Sequence, residues 1–119
     1  MKCLLVSRDL MFSTQASSAA NNAGFAAKTV ANADRLADQL AIDDEYIVLL
    51  DLTMAGLDIV GTIALLKGHV PAPSKIIAVG PHVHEAKLKA ASEAGCDLVL
   101  TKGQASRELS DLLAQLRTS

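Results

Sequence analysis

The polar residues best placed to do chemistry each follow a short aliphatic run. Ser7-Arg8-Asp9 follows Cys3-Leu4-Leu5-Val6, and Asp51 follows Ile47-Val48-Leu49-Leu50. His82 and His84 come shortly after Ile76-Ile77-Ala78-Val79, and Lys102 comes soon after Leu98-Val99-Leu100. Asp51 and Lys102 are a carboxylate and an ammonium, enough for an ion pair if the chain brings them together. Arg8 could join them, because a guanidinium fork pairs bidentately with a carboxylate. His82, His84 and Glu85 could suggest a metal, but two histidines without a firmly placed third ligand read as loop and helix-start residues. His69 lies near a helix end, where an imidazole meets the terminal carbonyls favourably. Asp43-Asp44-Glu45 reads as a solvated acidic loop. Cys3 and Cys96 have no metal-ligand or redox-motif spacing and read as two reduced thiols.

The aliphatic runs that precede these residues read as buried strands, because unbroken apolar runs of this length fit a parallel sheet covered on both faces. A weaker segment over 25–30 includes Lys28 and Thr29 and suits an edge strand. Between the runs the apolar period becomes helical. Phe12, Ala16, Ala19, Ala20 and Ala23 form one stripe ending at Gly24, and Ala33, Leu36, Ala37 and Leu40 form a second. Ile59, Ile63 and Leu66 mark a third, ending near Gly68 and Pro71. Leu88, Ala91 and Ala94 mark a fourth, ending at Gly95, and Leu109, Leu112, Leu113 and Leu116 mark the last. Five strand-helix pairs with right-handed crossovers predict an α/β fold. The specific expectation is a doubly wound, five-stranded parallel sheet of order 2-1-3-4-5 with five helices, the flavodoxin-like arrangement. A site is then expected at the carboxyl ends of the strands, which gathers residues 7–9, 51–56, 80–84 and 101–103. In this topology Cys3 and Cys96 lie at the opposite end, roughly 14 Å apart at the usual strand spacing and too far for a disulfide.

The chain has 119 residues, half of them hydrophobic and a fifth charged. That is room for a single domain over 1–119, with no linker or repeat. One Tyr, two Phe and no Trp leave an aliphatic core and few platforms for stacking bases. A net charge of −2 gives no basic stripe, so direct nucleic-acid binding is not expected. The apolar stretch at the amino terminus is too short for a secretory signal or a membrane span. A cytoplasmic location without membrane attachment is the expectation, and the tail 117–119 should fray.

The segment Leu49-Leu50-Asp51-Leu52-Thr53-Met54-Ala55-Gly56-Leu57-Asp58 resembles the phosphoacceptor segment of response-regulator receiver domains of two-component signalling. A second, Glu93-Ala94-Gly95-Cys96-Asp97-Leu98-Val99-Leu100-Thr101-Lys102, is similar to the family's passage from the fourth helix through the fifth strand to its lysine. With the element order, the resemblance spans essentially the whole chain. It implies that Asp51 is the nucleophile that takes a phosphoryl group from a kinase histidine or a small phosphodonor. It implies likewise that Lys102 is the lysine that pairs with Asp51 and later with the phosphoryl oxygens. A carboxylate attacking an anionic phosphoryl group needs concentrated positive charge, in this family Mg²⁺ together with the lysine.

Several positions depart from the family pattern. Ser7 and Arg8 stand where the family places its pair of metal-binding acids. Asp9 is a weak candidate to replace them, since a carboxylate just before a helical stripe reads as an N-cap. No cofactor is therefore expected, with Mg²⁺ only if phosphorylation is retained. Gly80 stands in place of the hydroxyl residue that bonds the phosphoryl group, and Val99 in place of the aromatic residue that turns inward. Gly103 replaces the family's proline, so a cis peptide is not expected there. Two readings of Arg8 stay open. Either it joins Lys102 on Asp51 in place of the metal and holds a phosphate-independent ion-paired state, or it points into solvent.

The resulting expectation is a non-enzymatic receiver-like module, an atypical protein-interaction switch with impaired Mg²⁺-dependent phosphorylation. Its partner would be a histidine kinase, a phosphotransfer protein or an output protein. The resemblance places the output or homodimer face over residues 84–117, where Glu85, Lys87, Lys89, Asp97, Arg107 and Asp111 supply mixed charge. The alternative is a functional phosphoacceptor response regulator using Asp51. A small-ligand-binding flavodoxin-like domain ranks last. Thr53 replaces the histidine of the cobalamin motif that 51–56 superficially resembles, and residues 7–13 hold no glycine to cradle a flavin phosphate.

Overall fold

The aliphatic runs form the interior of a single parallel sheet. Its strands are β1 (Lys2–Val6), β2 (Ala26–Val30), β3 (Tyr46–Asp51), β4 (Lys75–Gly80) and β5 (Leu98–Thr101). They are ordered β2-β1-β3-β4-β5, every pair parallel, as the sequence predicts. The computed structural model describes residues 1–40 and 45–118. Asp43 and Asp44 of the acidic stretch and Ser119 of the tail lie outside the described residues.

Side chains on each strand alternate between two apolar layers. Cys3, Leu5, Ile47 and Leu49 enter one layer, while Leu4, Val6, Val48 and Leu50 enter the other. The first layer is covered by α1 (Leu10–Asn22) and α4 (Lys102–Thr118), which contribute Phe12, Ala16, Ala20, Leu109 and Leu113. The second is covered by α2 (Ile59–Gly68) and α3 (Glu85–Glu93), through Ile63, Leu66 and Ala91. Every residue of β3 is buried, which explains why its run contains no polar residue before Asp51. Each fully buried Leu or Ile side chain contributes about 1.5–3 kcal/mol relative to exposure, so the central strand is the most firmly held platform for a site. In β2, Lys28 and Thr29 are exposed, as suits an edge strand.

Among the described residues four α-helices surround the sheet, not the five expected. Between β2 and β3 the expected helix is replaced by two 3₁₀ turns, Ala33–Arg35 and Ala37–Gln39. Ala33 and Leu36, like Ala37 and Leu40, are spaced i, i+3, which the three-residue turn of a 3₁₀-helix satisfies as well as an α-helix does. Asn32 caps the first of these turns, its Oδ1 accepting the Asp34 N–H at 2.9 Å. Leu36 and Leu40 are nevertheless fully buried, so the stripe's packing role survives the change of helix type. Two helix stops fall where the sequence places them: Gly24 and Gly95, with φ of +95° and +104°, take the left-handed conformation that follows α1 and α3. Among the described residues no helix is long and apolar enough to cross a membrane.

Candidate functional site

The sheet register builds the site. Val6 pairs with Leu50, so Ser7 emerges from β1 beside Asp51 at the end of β3. Lys102 opens α4 directly after β5 and spans the end of β4 to reach the same carboxylate. Asp51 is 0% exposed. Its Oδ2 accepts a hydrogen bond from Ser7 Oγ at 2.6 Å. Its Oδ1 accepts two from Thr53, from the backbone N–H at 2.9 Å and from Oγ1 at 2.6 Å. A carboxylate bonded by the N–H two residues on is the signature of an Asx-type turn.

The Lys102 ammonium lies 3.6 Å from Asp51 Oδ1 and 3.8 Å from Asp9 Oδ2. It also sits 4.1 Å from the centroid of the Phe12 ring, a favourable cation–π distance. Asp9 caps α1, its Oδ1 accepting the N–H groups of Met11 and Phe12 at 3.0 and 3.2 Å. Its own N–H donates to Ser7 Oγ at 3.1 Å. Burial alone would push the Asp51 carboxyl up. The Ser7 hydroxyl, the Thr53 hydroxyl and N–H, and the Lys102 charge together outweigh burial and hold it below its ordinary value. Asp51 is therefore a buried carboxylate, ionised at neutral pH and hydrogen-bonded on both oxygens.

Arg8 does not join this network. Its side chain is exposed and opens onto a groove of about 490 Å³ lined also by Ser13, Ser17 and Thr29. Of the two open readings, the solvent-facing one describes the molecule, because a side chain leaving a strand end alternates in direction with its neighbour and Ser7 takes the inward position. Gly80 is buried against two leucines. A Cβ there would lie 3.3 Å from Leu52 Cβ and 3.5 Å from Leu88 Cδ2, so a side chain in this position meets a filled space. Val99 is half-buried and packs on the layer beneath α2 and α3.

The remaining candidates lie away from the carboxylate. His82 and His84 are exposed, and His84 occupies the N-cap position of α3 without a side-chain bond. Among the described residues no group of three His, Cys, Asp or Glu is arranged to hold a metal. His69 Nδ1 donates to the Pro71 carbonyl at 3.1 Å, bonding the loop ahead rather than the helix-terminal carbonyls. Asp97 is structural as well as exposed, its Oδ2 accepting the Ile76 N–H at 2.7 Å and fixing the start of β5 to β4. Both cysteines are free. Burial pushes the Cys3 thiol up to about 12 and the Cys96 thiol up to about 11, which leaves both as unreactive thiols.

Two contributors escaped the sequence reading: Thr53 and Phe12. Thr53 carries no signal of its own, since an Asx-type turn is a property of the Asp and accepts the N–H of almost any residue two places on. Phe12 reads as a core residue, which it is, and nothing in its spacing marks its ring as the seat of an ammonium.

Solved structures similar to this chain share its topology over almost its full length. A signal receiver domain of a response regulator from Bermanella marisrubri matches with a TM-score of 0.81 at 25% identity, covering 97% of this chain and 96% of that one. The BeF3-activated DrrB receiver domain matches with a TM-score of 0.80 at 16% identity, covering 99% and 97%. The chain has the receiver-domain fold. NtrX from Brucella abortus is similar to it with a TM-score of 0.73 at 17% identity. That match covers 98% of this chain, which spans only 28% of the length of NtrX. No family model and no curated protein sequence matches the chain.

Against the receiver pattern, the donor set does not fit Mg²⁺. A hard divalent cation of this size needs near-octahedral oxygen ligation, with carboxylates and water as its usual donors. Here both Asp51 oxygens receive hydrogen bonds from the protein, and the Ser7 hydroxyl is turned toward Asp51 as a donor. Asp9 commits one oxygen to the helix end and directs the other at Lys102. In this arrangement the cation that faces Asp51 is the Lys102 ammonium.

Proposed function

We propose that residues 1–119 form one atypical receiver-like signalling domain of a two-component or phosphorelay system, acting as a protein-interaction module with impaired Mg²⁺-dependent phosphorylation. One observation carries this reading: Ser7 and Thr53 direct three hydrogen bonds at the two oxygens of Asp51, two of them at 2.6 Å. A hydrogen bond stabilises the carboxylate charge that an attack would draw on, and so raises the barrier. Each hydrogen bond to an ionised group is worth about 1.5–3 kcal/mol, and every 1.4 kcal/mol added to a barrier is roughly a tenfold loss of rate. The Ser7 bond would therefore slow attack by Asp51 Oδ2 by a factor of up to about a hundred. Without an acidic pair after β1, Lys102 would be left to offset the charge of the phosphoryl group almost unaided.

The module acts in the cytoplasm on a histidine kinase, phosphotransfer protein or output protein. Its output or self-association face lies over residues 84–117, built from α3, β5 and α4. Exposed Lys87, Arg107 and Asp111 and the Lys89–Glu93 pair at 3.8 Å give that face mixed charge.

A second reading, a working phosphoacceptor, is favoured by the proximity of Lys102 and Asp51. Treatment with a small acyl phosphate, with and without Mg²⁺, separates the two when phosphoryl addition is followed by intact mass. The atypical module gains no stable phosphoryl group in either condition. Mg²⁺-dependent addition to the wild type and none to Asp51→Asn establishes the phosphoacceptor instead.

A further inference from the structure

The ammonium of Lys102 is buried and, among the described residues, has no hydrogen-bond partner, although oxygens of Asp51 and Asp9 stand at 3.6 and 3.8 Å. Ammonium–carboxylate hydrogen bonds ordinarily close to about 2.7–2.9 Å, and a buried donor left without one calls for a physical cause. Two neighbours supply it. Asp51 Oδ1, the oxygen nearest the ammonium, already receives the Thr53 hydroxyl and N–H. A carboxylate oxygen has about two lone-pair sites, so those donors fill them. On the other side the Phe12 ring lies 4.1 Å from Nζ and offers the cation a negative face. Asp9 cannot close the remaining gap freely, because its Oδ1 is anchored on the first turn of α1.

We infer that Thr53 and Phe12 are positioning residues that hold Lys102 in the pocket as an unbonded counter-charge. Thr53 fills the Asp51 oxygen that faces the ammonium, and Phe12 receives the ammonium on its ring. Both act in the resting pocket, so their roles stand whether or not Asp51 accepts a phosphoryl group. The role of Thr53 is specific to its hydroxyl, which Ser retains and Val lacks at nearly the same volume.

The test uses the whole chain labelled with ¹⁵N and ¹³C, reading the Lys102 ammonium signal and its proton exchange with water by NMR. Thr53→Val is expected to release a lone pair of Oδ1, draw the ammonium into hydrogen-bond contact, slow its exchange and move its protons downfield. Thr53→Ser is expected to leave the signal at its wild-type position. Phe12→Leu is expected to move the signal by removing the ring current. Should Thr53→Val not fold, Thr53→Ala carries the same expected shift. A Lys102 signal unmoved by loss of the hydroxyl, or moved as far by Ser as by Val, overturns the role of Thr53. A signal unmoved by Phe12→Leu overturns that of Phe12. None of these readouts involves phosphoryl transfer, so their failure is distinct from failure of the acyl-phosphate experiment.

Discussion

Ser7 Oγ donates a 2.6 Å hydrogen bond to Asp51 Oδ2 at a point where Ser7 is 1% and Asp51 0% exposed. The bond joins the ends of β1 and β3, adjacent strands at the centre of the sheet. It places a neutral donor directly against a buried charge. Removing the hydroxyl with Ser7→Ala leaves one oxygen of a buried charge unsatisfied, which costs about 1–3 kcal/mol. A urea unfolding curve measures this directly, with a lowered midpoint at unchanged slope as the expected result.

Lys102 is the cation nearest Asp51. Lys102→Met keeps most of the stem and removes the charge, leaving the carboxylate buried without its counter-ion. Breaking one side of a buried pair costs about 3–5 kcal/mol, and the partial exposure of the Lys102 stem places the expected loss at or below the lower end. Chemical denaturation at neutral pH checks it, and the same variant should show a raised Asp51 titration midpoint.

The pH dependence has a definite sign. Unfolded, the Asp51 carboxyl titrates near its ordinary value of 3.8, and folded it is held lower. Its ionised contacts therefore contribute fully above that ordinary value, and the contribution is lost as pH falls through the lower folded value. The stability difference between wild type and Asp51→Asn should stay constant from neutral pH down to about 5 and shrink below about 4. Unfolding curves of the two proteins across that range give the measurement.

Gly80 is not an empty place awaiting a hydroxyl. A Cβ would stand 3.3 Å from Leu52 Cβ, an atom fixed to the backbone of a residue only 1% exposed. Overpacking of this kind costs about 1–3 kcal/mol, against about 0.4–1 kcal/mol gained by restricting the unfolded chain. Gly80→Ala is therefore expected to lower stability by about 1 kcal/mol, as read by thermal or urea unfolding, and Gly80→Thr by more.

Much of this architecture was legible in the sequence, because β1, β3, β4 and β5 are apolar runs whose burial on both faces leaves little ambiguity. The segment between β2 and β3 was not. Leu36 and Leu40 announce a buried stripe, but spacing alone does not separate a short α-helix from two 3₁₀ turns. In the site, Asp51 and Lys102 could be paired from topology, since strand order brings their ends together. The direction of Arg8 could not, because one residue of register decides whether a side chain enters the pocket or faces water. Thr53 was overlooked since its contribution is a local hydrogen-bond geometry, and Phe12 since its core role conceals its contact with Lys102.

The most direct test of the account is a Mg²⁺ titration of the ¹⁵N-labelled protein, following the amides of Ser7, Asp9, Asp51 and Thr53. A pocket already filled by its own hydroxyls and ammonium is expected to show no saturable shift at these residues. Saturable Mg²⁺-dependent shifts confined to them, lost in Asp51→Asn, would contradict it.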